Sequence, residues 1–294
     1  MKSRRNAILL ALIVTFLWSS SWILIKFGLS DIPPVAFAGL RYAIAFFGLL
    51  GVGALTGRLH RLKQLDRSDW IPIAIYGLVF ITLTQGAQFL ALSKLPAVSV
   101  SLVLSFTPLL VALLGWVFLN ERPSSRQLIG MGIFLTGIAI YFYPYTGLGD
   151  SLEGLLIAAF GLVVNATSAL LGRKLNQRHT ADAYSITLIS MGFGSFTLLA
   201  FSLPFNGFPE LSPINWGALL WLGLINSALA FTLWNKALQS LSALESNLIN
   251  NTMLIQVAIM AFLFLGETLS PIQILGVTLV ASGILLAQLK KRTR

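Results

Sequence analysis

The side chains of this sequence that could act on a solute lie inside long apolar runs, at spacings that place them on shared helical faces. Thr15, Ser19 and Trp22 share one face, with Trp18 beside it. Gln85 and Gln88 are three apart and so neighbours on a helix, with Tyr76 in the same run. Ser101, Ser105 and Pro108 stand at i, i+4 and i+7, and Asn247, Asn250, Asn251 and Leu254 form a comparable face later. Asn226 and Trp234 fall in line along a fifth run, and Asn165 and Ser168 mark a sixth. Polar groups are costly in hydrocarbon unless they face a cavity or bond to a neighbouring helix. These can hydrogen-bond and stack, so together they predict a neutral, amide-rich, aromatic cavity suited to zwitterions or polar neutral solutes. The competing role is structural: serines bonded to their own helix, amides bridging helices, Trp18 and Trp22 packing.

Few charges touch these runs. Lys26 lies near the end of one, where its stem can snorkel to the interface. Arg41 lies deeper, followed by Tyr42, and its guanidinium can either pack structurally or bind a carboxylate in a fork. Glu245 opens a run and is the candidate for proton coupling, although a helix N-terminus also stabilises a plain carboxylate. Glu121 and Glu267 end matched runs, which suggests symmetric structural pinning. Hydrolase or transferase chemistry has no support. The two histidines, His60 and His179, fall in loops, and there is no cysteine, no metal-ligand cluster and no glycine-rich phosphate cradle. The chain is therefore expected to be no enzyme, with no cofactor and no metal.

The elements that must hold these side chains are membrane helices. Over 294 residues the chain is 56% hydrophobic and only 10% charged, outside the soluble globular range. Ten runs are long enough to span a hydrocarbon core about 30 Å thick. They cover about 7–28, 34–56, 70–92, 97–119, 126–144, 152–171, 181–203, 216–238, 245–265 and 271–289. None alternates as a barrel strand would. The first run follows Lys2, Arg4 and Arg5 but continues past Trp22 without a cleavage pattern, so it reads as a retained span rather than a signal peptide. The net charge of +10 does not point to nucleic acid. Arg58, Arg61, Lys63, Arg67, Arg122, Arg126, Arg173, Lys174 and Arg178 gather with both termini on one side, leaving Lys26, Arg41 and Lys94 toward the other. That asymmetry predicts a multi-pass protein of the cell (inner) membrane with both termini cytoplasmic. Its partners are membrane lipid and a small-molecule substrate. The oligomeric state stays open, a monomer being sufficient.

Displaced by 146 residues, the chain matches itself. Ala91-Leu92 returns as Ala237-Leu238, Glu121 as Glu267, Ser124 as Ser270, Gln127 as Gln273, Gly130 as Gly276 and Gly137-Ile138 as Gly283-Ile284. A fixed-period match marks a duplication. Five spans per half is an odd number, so the second half enters the membrane upside down. The expected fold is an all-α integral membrane protein of ten transmembrane helices in two inverted five-helix repeats, 1–145 and 146–294. Inverted halves commonly exchange two conformations around a midplane site.

Trp18-Ser19-Ser20-Ser21 with Lys26, Arg41-Tyr42, and the two Glu-ending helices Gly115–Glu121 and Ala261–Glu267, each followed by a Gly-spaced helix, carry a family resemblance. Together they resemble the EamA type of the drug/metabolite transporter superfamily, over the whole chain, and are similar to its amino-acid and aromatic-amino-acid exporters. The resemblance implies export of small metabolites. Two features depart from it: Leu254 stands opposite Pro108 where the family often keeps proline, and the first span lacks the buried glutamate of related small multidrug transporters. The favoured reading is a secondary transporter exporting amino acids, including aromatic ones, by alternating access. The alternatives are a multidrug or lipophilic-compound exporter and, in another class, a non-transporting membrane receptor or scaffold.

Overall fold

The computed structural model describes residues 4–28, 31–95, 97–143, 151–178, 181–253, 255–256 and 270–288; side chains at 22–23, 26–28, 97–98, 178 and 288 fall outside the description. The described chain is helical and contains no strand. Helix α1 covers Arg4–Gly28 and α2 Pro34–Leu55, followed by a 3-10 turn at Arg58–Gln64. Helix α3 covers Arg67–Lys94, α4 runs in two segments, Ala97–Leu104 and Thr107–Leu119, and α5 covers Ser125–Tyr141. Then come α6 (Leu152–Arg178), α7 (Ala183–Asn206), α8 (Pro213–Leu238), α9 (Ala243–Asn250) and α10 (Pro271–Gln288).

Among the described residues six stretches are long and apolar enough to cross a membrane, in α2, α3, α4, α6, α7 and α8. The other expected spans correspond to α1, which carries charges at both ends, to the 17-residue α5, to α9 and to α10. Most of the expected ninth span beyond Asn250, with Leu254 and Glu267, lies outside the described residues.

Local chemistry sets the helix ends. Pro34 at the first position of α2 has no N–H to leave unsatisfied. Ser124 and Gln127 cap α5 reciprocally: Ser124 N donates to Gln127 Oε1 at 2.8 Å and Gln127 N to Ser124 Oγ at 3.3 Å. Ser270 and Gln273 repeat that box on α10 at 2.9 and 3.3 Å. Asn120 ends α4 in the left-handed conformation, φ 54°, and the following Glu121 N–H returns to the Gly115 carbonyl at 3.1 Å. Pro108 breaks α4 because it has no N–H for the carbonyl four residues back. Thr107 Oγ1 donates to that carbonyl, Leu104 O, at 2.6 Å instead.

Irregularities recur at the 146-residue displacement. The first α-helical segments of α3 and α8 start at Arg67 and Pro213 and end at Gly77 and Gly223; both then pass into π-helix, at Leu78–Gln85 and Leu224–Leu229. The packing around them exchanges in the same way. A Cβ on Gly77 would fall 2.5 Å from Ser190 O in α7, and one on Gly223 would fall 2.6 Å from Ile44 Cγ2 in α2. Ser190 and Ile44 are again 146 apart. Helix pairs α3–α7 and α8–α2 are thus equivalent, and glycine at each crossing lets the backbones approach.

Around α2 and α7, Phe37, Tyr42, Phe89, Leu188, Met191, Leu219 and Phe231 form the central core. Phe37 meets Phe89 edge-on at 5.5 Å. Large apolar side chains such as Phe47, Phe118, Phe160, Phe196 and Phe201 point outward and are exposed. In a soluble protein so extensive an apolar exterior would drive association; here it is the surface that acyl chains cover.

Candidate functional site

A cavity of about 290 Å³ opens between the helices, with walls from α1 to α6, α8 and α9. Trp18, Arg41, Tyr42, Tyr76, Gln85, Gln88, Ser105, Asn165, Trp234, Asn250 and Asn251 all line it. Residues that were singled out on seven separate runs are therefore brought to one space. Phe231, Phe80, Phe89, Tyr141 and Phe142 also line it and were not anticipated. Their signal was available: Phe231 precedes Trp234 by three residues and Phe80 follows Tyr76 by four, both on shared helical faces.

Two anticipated residues point elsewhere. Ser19 is buried and donates to Thr15 O at 2.8 Å and Gln256 Oε1 at 2.9 Å, tying α1 to the segment after α9. Asn226 lies in the α8 π-turn and donates to Leu17 O, clamping α8 to α1. Both serve helix contacts because each meets a partner on an adjacent helix before it reaches the cavity wall. The side chains of Trp22 and Lys26 lie outside the described residues, as does His179.

The aromatic wall is continuous. Trp18 packs on Phe231 at 4.9 Å and on Trp234 at 5.1 Å, Phe231 continues to Tyr42 at 5.8 Å and to Phe80 at 5.2 Å, and Phe80 stacks on Tyr76 at 5.2 Å. Trp18 is held by its indole Nε1, which donates to the Asn226 carbonyl at 3.0 Å. The π-turn that carries this carbonyl thereby fixes a ring across the cavity, in keeping with the occurrence of π-bulges at functional sites. The polar wall carries Asn165, whose Nδ2 donates to Thr107 Oγ1 at 3.3 Å. The Tyr42 hydroxyl and the Asn250 Oδ1 are buried with no hydrogen-bond partner among the described residues. Arg41 is 3% exposed and donates from Nε to Ser227 Oγ at 2.8 Å, with its guanidinium 5.3 Å from the Tyr42 ring centre. No Asp or Glu is among the described residues that line the cavity. Nor do three or more His, Asp or Glu side chains gather among the described residues to hold a metal.

One end of the bundle is held by ion pairs and caps. Glu121, placed by the Asn120 turn, accepts from Arg173 Nε at 3.0 Å, from Gln177 Nε2 at 3.3 Å and from the Ala243 N–H at 3.0 Å. Arg173 also donates to Leu238 O at 2.7 Å. One carboxylate and one guanidinium thus join the ends of α4, α6 and α8 to the start of α9. Glu245 forms a capping box with Ser242 in the first turn of α9 and pairs with Arg4 of α1. These are structural engagements of the residue singled out for coupling.

A family model described as the EamA-like transporter family matches residues 5–143 and again 152–289. An uncharacterized transporter of Bacillus subtilis, YvbV, is 29% identical over 299 residues, covering 99% of this chain and 93% of the relative. An S-adenosylmethionine/S-adenosylhomocysteine transporter of Chlamydia trachomatis serovar L2 is 25% identical, covering 90% and 84%. A solved crystal structure superposes with a TM-score of 0.77 over 97% of both chains at 21% identity, a likeness of fold. Matched twice, over nearly its whole length, the helical chain built around this cavity belongs to the EamA-like transporter family.

Proposed function

We propose that the protein is a secondary transporter that exports small metabolites, amino acids foremost and aromatic ones among them, from the cytoplasm by alternating access. Its ten helices form two inverted five-helix repeats, 1–145 and 146–294, in the cell membrane with both termini inside. The observation that carries this reading is the cavity itself: polar and aromatic residues from both halves meet at the seam, where Trp18 and Arg41 of the first half face Trp234 and Asn250 of the second. The antiparallel packing of α5 on α10 and the exchange of contacts at a displacement of 146 support inversion of the halves. The Glu121–Arg173 cluster lies at the end where the basic loops gather, which supports reading this arrangement as closed at the cytoplasmic end and open outward.

Counterflow of labelled phenylalanine and threonine in liposomes tests the reading. Saturable exchange that Trp18→Ala or Asn250→Ala weakens is the expected result. Silence across amino acids, beside an active control carrier, rules out the amino-acid substrate and sends the search to nucleosides, sugars or drugs. The relative named for S-adenosylmethionine makes that compound, an amino acid joined to a nucleoside, the next probe.

A further inference from the structure

We propose that the cavity takes its solute by a carboxylate bound end-on to Arg41, so that the transported class is carboxylates and zwitterions rather than cations or uncharged compounds. The inference rests on the transport reading above and narrows its substrate.

Four observations carry it. First, Arg41 is buried inside α2, yet no carboxylate among the described residues pairs with it. A buried cation without a counter-ion is costly, and proteins ordinarily pair such a charge. Second, its only described hydrogen bond runs from Nε to Ser227 Oγ. That bond fixes the plane of the fork while Nη1 and Nη2, the two donors that match a carboxylate, bond to no described residue. Third, the neighbouring Tyr42 hydroxyl is fully buried and has no hydrogen-bond partner among the described residues. A phenol beside a guanidinium supplies a further donor for the same anion. Fourth, the charge is not repeated at the equivalent position of the second half. The position 146 residues later is Thr187, on α7, where a hydroxyl accepts from Asn235 Nδ2 at 3.0 Å in a wholly buried contact. The α2–α7 pair therefore packs with a neutral group at one of two equivalent places. The cation is present at the place that borders the cavity.

The same geometry places the rest of the solute. From Tyr42 the aromatic wall leads through Phe231 to Trp18, so a carboxylate on Arg41 sets an apolar or aromatic body against these rings. Ser227 belongs to the second half of the chain and Arg41 to the first. Orientation of the fork thus depends on a contact between the two halves.

A ring-matched probe set tests the assignment: phenylalanine, 3-phenylpropionate, phenylalaninamide and phenethylamine, each measured by thermal shift of the purified protein and by competition in liposome counterflow. Phenylalanine and 3-phenylpropionate should bind and compete, and the amide and the amine should be at least about tenfold weaker, as loss of one charge-assisted fork predicts. Arg41→Lys, which keeps the charge and loses the fork, should weaken phenylalanine by a similar factor, and Ser227→Ala by a few-fold. If the Arg41 variant does not fold, the wild-type ranking and Ser227→Ala decide. Phenylalaninamide or phenethylamine acting as strongly as phenylalanine overturns the carboxylate assignment and leaves the transporter standing. Absence of binding and exchange for all four compounds overturns both the assignment and the aromatic amino-acid substrate.

Discussion

Gly130 in α5 and Gly283 in α10 meet backbone to backbone: a Cβ on Gly130 would fall 2.6 Å from the Gly283 carbonyl oxygen, and one on Gly283 would fall 2.5 Å from that of Gly130. The contact has a mirror two turns away. A Cβ on Gly137 would fall 2.8 Å from Gly276 O, and the repeat relates Gly130 to Gly276 and Gly137 to Gly283. Residue 130 therefore faces the counterpart of 137, and 137 the counterpart of 130, as two copies of one surface do about a two-fold axis. The helices run antiparallel through this contact, and no larger residue fits without separating them.

Gly130→Val should therefore lower stability by about 1–3 kcal/mol, the usual cost of overpacking. Gly132 is the internal control, with nothing within 4 Å of its would-be Cβ, so Gly132→Ala should be neutral or slightly stabilising. Thermal unfolding of both variants in detergent checks the contrast. Equal melting temperatures for Gly130→Val and the parent would contradict the close approach.

Trp18 joins the ring cluster to α8 through its indole N–H, and its two contributions are separable. Trp18→Phe keeps an aromatic face toward Phe231 and Trp234 and loses the bond to Asn226 O. Trp18→Ala loses both. An aromatic pair is worth about 0.5–1.5 kcal/mol beyond its buried area, or roughly 2- to 12-fold in affinity. Half-saturation for phenylalanine in counterflow should thus rise modestly for Trp18→Phe and by at least that factor for Trp18→Ala. The reverse order would remove Trp18 from the binding wall.

The chain has no cysteine, so single thiols report accessibility without background. Ser105→Cys places one on the cavity wall. If the Glu121–Arg173 cluster closes the cytoplasmic end, a membrane-impermeant maleimide should label it from outside and not from inside. Arg173→Ala, which frees the ends of α4, α6 and α8 together, should open a second route and raise cytoplasmic labelling several-fold. An inside-to-outside ratio that Arg173→Ala leaves unchanged would show that the cluster holds the fold and not a gate.

Much of this architecture was legible because duplication wrote it twice. Ser124 with Gln127 and Ser270 with Gln273 stood out as a repeated pair and prove to cap two helix starts, as the repeated glycines prove to mark close packing. The cavity residues were legible where polarity is expensive: Gln85, Gln88, Asn250 and Asn251 have few reasons to sit in lipid. Ser19 and Asn226 looked the same by that test and serve α1's contacts with its neighbours, because a one-dimensional spacing places a residue on a face without saying which neighbour the face meets. The π-turns were not legible at all. They shift the register after Gly77 and Gly223, so faces counted at 3.6 residues per turn drift downstream of them. Phe231 and Trp234 both lie downstream of the second turn, in one regular segment, so their three-residue spacing was readable and the drift affects only faces that cross the turn. The role of Glu121 was anticipated as pinning, but its partners Arg173 and Ala243 come from two distant helices.

Asp182 offers a test of stability outside the hydrocarbon. It caps α7 by accepting from Ser185 N at 2.9 Å and pairs with Arg61 of the 3-10 turn. Burial alone would push its carboxyl up, but the bonds from Ser185 and the Arg61 guanidinium outweigh that and hold it below its ordinary value. A carboxylate depressed in the fold binds protons more readily when unfolded. Its contribution is therefore complete above the unfolded value, near pH 4, and fades as pH falls through the folded one. The Arg61 side chain is half exposed, so the ion pair adds little and the cap supplies most of the effect, about 1 kcal/mol. The melting temperature of Asp182→Asn, whose side chain can still cap, should lie slightly below the parent at pH 7; Asp182→Ala should lie further below. Both gaps should narrow as the pH is lowered from 5 toward 3. A gap that widens on acidification would mean that the carboxyl is raised by burial rather than held down by its partners.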